Sequence, residues 1–180
     1  MVAQRSIAIF CVGNMLMLDD GIGPAVYQEL SAYDLGSEVD LFDVGCMSME
    51  LVGYVEQYDL IITVDAVDGT DHEPGTIFRF APEDIAKRAF GSQSLHDLKL
   101  SDLFTAASLL GYEAEGVCFG MKVENASPAQ ATVGLTPKVH AKVAELVDCV
   151  LAELVHRGVS VRLRTTGQAV EPGYHHQIQM

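Results

Sequence analysis

The chain has 180 residues, 49% hydrophobic and 20% charged, enough for one domain with a full core and too few for two. Its formal net charge of −14, with 11 basic residues and no basic run, argues against nucleic acid or an anionic membrane as partner. No segment approaches the roughly 18 apolar residues of a bilayer span, and Cys11, Cys46, Cys118 and Cys149 form neither a Cys-x-x-Cys pair nor a disulfide framework, as expected in a reducing compartment.

The first apolar run, residues 7–12, ends in Gly-Asn and acids instead of a small-residue cleavage site. It therefore predicts a first strand and a cytoplasmic protein. The loop after it runs from Gly13 to Gly23 and holds two adjacent carboxylates, Asp19 and Asp20, before a helix over 24–32 with Pro24 near its start. In open α/β sheets the crevice beyond the carboxyl ends of the strands binds ligands. Two acids there suit a metal ion or acid/base chemistry and repel a phosphate. A dinucleotide loop is excluded on the same ground, because Gly-x-Gly-x-x-Gly is absent.

Further strands are predicted at 39–44, 60–64, 76–80 and 117–123, with helices at 48–57 and 98–110. The near-continuous apolar run 60–64 reads as a central strand covered on both faces. Asp65 follows it directly, at the sheet edge that also carries Asp19 and Asp20. His96 precedes the third helix, again in a loop facing the crevice. A last helix is predicted from Pro137 to Gly158, capped by Thr136, with Val139, Val143, Leu146, Val147, Val150, Leu151 and Leu154 as its core stripe. A short strand is expected at 159–164, and residues 165–180 read as a polar, flexible tail in which His175 and His176 make a poor specific metal site. Alternation of strands and helices gives a single α/β domain over 1–164.

Asp20, Asp65 and His96 combine oxygen and nitrogen donors that suit a divalent cation with positions left open. Cys46, near a helix start, is a competing nucleophile, though a small buried sulfur is the commoner reading. In order, Val12-Gly13-Asn14 with Asp19-Asp20-Gly21-Ile22-Gly23, Met49-Glu50-Leu51 with Asp59-Leu60-Ile61-Ile62 and Asp65-Ala66, Pro74-Gly75-Thr76, Ser94-Leu95-His96, and Gly134-Leu135-Thr136-Pro137 resemble the blocks of the hydrogenase maturation proteases. The resemblance spans roughly 7–157.

That resemblance implies a twisted, mostly parallel five-stranded sheet with helices on both faces, of phosphorylase/hydrolase-like type. It implies an endopeptidase that removes a C-terminal extension from the nickel-loaded large-subunit precursor of a nickel–iron hydrogenase. Nickel is then supplied by the substrate and contacted by Asp20, Asp65 and His96, although other divalent cations can occupy such a site. Water is activated either by the metal or by a free carboxylate such as Asp19. A monomer with no nucleic-acid or membrane partner is expected. The alternative is a nickel-dependent chaperone or scaffold that binds the precursor without cutting it. The chain departs from the family where Asp43-Val44-Gly45-Cys46-Met47-Ser48 replaces Asp-Gly-Gly-Thr; Val44 resists a positive φ, which points to a differently shaped cleft loop. Asp97 stands where relatives often carry Gln.

Overall fold

The computed structural model describes residues 6–46, 48–87, 95–173, 175 and 177–179, with the side chains of 85–87 and 95–101 outside that description. In chain order the elements are β1 (Ile7–Val12), a 3-10 turn (Leu18–Gly21), α1 (Ile22–Leu30), β2 (Tyr33–Asp34), β3 (Val39–Gly45), a second 3-10 turn (Met49–Leu51), α2 (Val52–Val55) and β4 (Leu60–Val67). Then follow β5 (Ile77–Phe80), α3 (Pro82–Lys87), α4 (Leu95–Leu109), β6 (Glu115–Lys122), α5 (Pro137–His140), α6 (Val143–His156), β7 (Arg162–Leu163) and β8 (Ile178–Gln179).

The main sheet has the order β3-β1-β4-β6-β5-β8, and β2 pairs with β7 separately. β3, β1, β4 and β6 run parallel, while β5 is antiparallel to β6. The expected mostly parallel α/β sheet is therefore present, with six strands where five were expected. Alternation along β1 sorts the core into two layers. Ile7, Ile9 and Cys11 face α1 and α6, whose Val26, Leu30, Leu146, Val150 and Leu154 complete one cluster. Ala8, Phe10 and Val12 face α2 and α4, where Val52, Val55, Leu103 and Ala107 complete the other.

Several expectations need adjustment. β4 does not stop at Val64: Asp65, Ala66 and Val67 continue its ladder opposite Gly120, Met121 and Lys122 of β6. The acid interrupts the apolar run without interrupting the hydrogen bonding, so Asp65 stands inside the strand and not in a loop after it. The last helix is broken. Between α5 and α6 the chain tightens into a turn, with Lys142 N donating to Val139 O at 3.0 Å, and Thr136 makes no side-chain cap.

Several of the described residues in 165–180, read from sequence as a flexible tail, make contacts with the domain. Val170 N donates to Val161 O, His175 Nε2 lies 2.9 Å from Asp148 Oδ2, and β8 pairs with β5. β5 would otherwise present an open row of backbone groups, and covering such an edge is a common use of a terminal strand. An ion-pair ladder also ties β5 to α6: Arg79 donates to Glu153 through Nε at 3.0 Å and through its second terminal nitrogen at 3.1 Å, and Arg157 links Glu153 to Glu115. Burial alone would raise the Glu153 carboxyl, but these arginines outweigh it and hold it below its ordinary range. Among the described residues no helix is long and apolar enough to cross a membrane.

Candidate active site

The site is built where β1 ends. Gly13 has φ 140°, and a Cβ there would lie 1.9 Å from the backbone oxygen of Asp20, so the chain leaving β1 passes directly against the turn that carries the acids. Asn14 N then donates to Asp20 Oδ2 at 2.9 Å, while Asn14 Oδ1 accepts Leu16 N and Asn14 O accepts Met17 N. Leu18, at φ 53°, is the one non-glycine residue with positive φ among those described. Left-handed backbone at a bulky side chain is held only where its surroundings enforce it. Gly23 closes the arrangement, because a Cβ there would meet Val12 O at 1.9 Å.

The two acids have different surroundings. Asp20 is 5% exposed and Asp19 is fully enclosed. Asp19 Oδ1 accepts Thr136 N at 2.7 Å; its Oδ2 accepts Glu124 N at 3.1 Å, Asn125 N at 2.9 Å and Thr136 Oγ1 at 3.0 Å. The Thr136 hydroxyl, read from sequence as a helix cap, is thus spent on Asp19. Four donors saturate a carboxylate, which fits a structural tie better than a base that must take a proton from water.

Asp65 is half-buried, and its Oδ1 accepts Ala66 N at 2.7 Å. By strand alternation it shares a face with Ile61, Thr63 and Val67, the face covered by α2 and α4. The 3-10 turn carrying Asp20 packs against β4. Beneath Asp65, the buried Thr63 Oγ1 has no hydrogen-bond partner among the described residues. His96 falls in the first turn of α4, and its side chain and that of Asp97 lie outside the described residues. Backbone connectivity still places that turn. α4 ends six residues before β6 begins, and its 15 residues rise about 22 Å, which returns its first turn toward the edge where β4 carries Asp65.

Two carboxylates and an imidazole form a suitable donor set for a borderline divalent ion; among the described residues alone, no three His, Cys, Asp or Glu side chains gather into such a cluster. His176 also lies outside the described residues, and His175 is engaged with Asp148. Cys46 is exposed at the end of β3. The altered loop is accommodated simply: Val44 remains in β3 as the extra residue of a bulge, between the pairs Cys11–Asp43 and Val12–Gly45, and Gly45 takes the positive φ of 59°. Beside it lies a cleft of about 270 Å³ lined by Phe10, Phe42, Val44 and Tyr54, with Asp43 and Glu50 also in its wall.

Comparison with known proteins shows the family. A family model described as "Hydrogenase maturation protease" matches residues 24–153. The chain belongs to the hydrogenase maturation protease family. It is similar to the "Hydrogenase 2 maturation protease" of Escherichia coli (strain K12), at 31% identity over 155 residues, covering 85% of this chain and 93% of that one. It is also similar to the "Hydrogenase expression/formation protein HupD" of Rhizobium leguminosarum bv. viciae, at 28% identity across 96% of this chain and 85% of the relative. Among solved structures, the hydrogenase maturating endopeptidase HybD from E. coli superposes with a TM-score of 0.79 at 30% identity, covering 89% of this chain and 98% of that one. As a member of this protease family the chain is an endopeptidase. Asn14, Asn125 and Thr136 are the residues of the site that sequence reading missed or misassigned; the last two reach Asp19 across 106 and 117 positions, and no local spacing signals such a tie.

Proposed function

We propose that the chain cuts a C-terminal extension from the nickel-loaded large-subunit precursor of a nickel–iron hydrogenase, with Asp20, Asp65 and His96 as the residues that meet the nickel. The observation carrying this reading is the placement of Asp20, on a turn packed against β4, beside the strand that holds Asp65. Asp20 is nearly enclosed and Asp65 half-buried, and a cation arriving with the substrate would offset the cost of holding two negative charges at one site. Tight docking then depends on metal loading, so an unloaded precursor is passed over. When bound, the nickel supplies Lewis acidity for the scissile carbonyl or for a water.

The protein's own part is to hold the acids, through Gly13, Asn14 and the 3-10 turn, and to offer a cleft beside β3 for the substrate chain. Since Asp19 is saturated, proton transfer falls to Asp20 or Asp65. A cytoplasmic setting is supported by four free cysteines, three of them buried.

The reading is tested by the intact mass of a large-subunit precursor incubated with the purified protein, nickel-loaded and nickel-free. Loss of a C-terminal peptide from the loaded form alone is the expected result. Cleavage of both forms would remove the metal checkpoint. Binding without any mass change would favour the non-cleaving chaperone.

A further inference from the structure

Asp19 has no opening to a substrate, yet its hydrogen bonds reach one end of the site from the other. Its carboxylate gathers Glu124 N, Asn125 N, Thr136 N and Thr136 Oγ1, which are the two ends of the loop between β6 and α5. The main chain adds three ties to the same loop: Asp19 N to Asn125 O at 3.2 Å, Leu18 N to Thr132 O at 2.8 Å and Thr132 N to Leu16 O at 2.8 Å. The loop is therefore clamped at its start, middle and end to residues 16–19. These ties also hold Leu18 in its left-handed conformation.

In a 3-10 turn successive side chains leave the axis about 120° apart. Anchoring the Asp19 carboxylate in the loop thus fixes the direction in which Asp20 leaves the turn. We propose that Asp19 is a positioning residue, which orients the Asp20 carboxylate by clamping the 124–136 loop, and is neither a metal ligand nor the base. This inference rests on the protease reading for its kinetic consequence but not for the clamp itself.

The test uses Asp19→Asn and Thr136→Val in the full chain. Thr136→Val removes only a hydroxyl donor to Asp19. A misplaced catalytic group costs up to about a hundredfold, so Asp19→Asn should lower kcat/KM roughly tenfold to a hundredfold while the acid limb of its pH profile stays in place. Thr136→Val should show a smaller fall of the same kind, and the double variant should be no slower than Asp19→Asn alone. Hydrogen exchange at Glu124, Asn125 and Thr136 should quicken in both single variants.

Loss of the acid limb in Asp19→Asn, with Thr136→Val at wild-type rate, would make Asp19 the base and overturn the proposal. Unchanged exchange in Thr136→Val would overturn the clamp, including in the event that Asp19→Asn does not fold. If the wild-type protein cuts no precursor, the functional reading fails, and the exchange result still decides the clamp.

Discussion

Substituting Asp20 by asparagine is expected to slow cleavage of nickel-loaded precursor by roughly 10²- to 10⁴-fold, the range lost with a group that handles charge or a proton in the transition state. The variant should fold. Asp20 accepts Asn14 N–H through Oδ2, and an asparagine oxygen can accept the same bond, so that tie weakens by about 1 kcal/mol or less. What is lost is the negative charge on which the proposed nickel contact depends. Asp65→Asn should behave alike, because Asp65 lies in the β4 ladder and its own backbone pairing does not depend on the carboxylate. Single-turnover cleavage together with thermal unfolding separates the two effects. A variant within threefold of wild type would remove Asp20 from the chemistry.

The largest structural effect is expected at Gly23. A methyl group there would sit 1.9 Å from Val12 O, 2.5 Å from Val12 N and 2.6 Å from Val12 C. Those are backbone atoms of β1 at the point where the site begins, and no rotamer change relieves the clash. α1 must move off the sheet, at a cost of about 3 kcal/mol for overpacking of this kind. In a chain of this size that corresponds to roughly 6–12 °C in Tm. Gly53, inside α2, is the control, because a methyl group there would meet nothing within 4 Å. Gly53→Ala should be neutral or stabilise by up to about 1 kcal/mol through helix propensity. Urea unfolding of both variants checks the pair, and a Gly23→Ala protein as stable as wild type would mean that α1 does not approach β1 this closely.

These two expectations also mark what the sequence could reveal. β1 was legible to the residue, 7–12, because both of its faces are buried and an unbroken apolar run results. β4 was legible only to Val64. The ladder with β6 runs on past the acid, and hydrophobic patterning does not register hydrogen bonding. The single stripe from Val139 to Leu154 correctly marked a buried face, but it passed across the turn at 141–142 without a glycine or proline to announce the break between α5 and α6. The pairing of β8 with β5 was hidden because two residues of strand carry almost no periodicity.

From sequence, Asp20 reads as a nickel contact and Asp19 as a free carboxylate able to activate water. The structure divides them, since consecutive residues of a 3-10 turn face different neighbours: Asp20 toward Asn14 N, Asp19 toward a loop more than a hundred residues away. Composition and spacing found the acids. Only the folded chain shows that Asp19 ties a distant loop while Asp20 accepts from Asn14 in its own turn.

Whether Asp20, Asp65 and His96 meet one cation is tested most directly by a nickel anomalous difference map from crystals of this protein soaked in a nickel salt. The predicted result is a peak about 2.0–2.2 Å from carboxylate oxygens of Asp20 and Asp65 and an imidazole nitrogen of His96, the range of first-row divalent ions on such donors. A nickel peak held instead by His175 with Asp148 and Glu145, with none between Asp20 and Asp65, would contradict it.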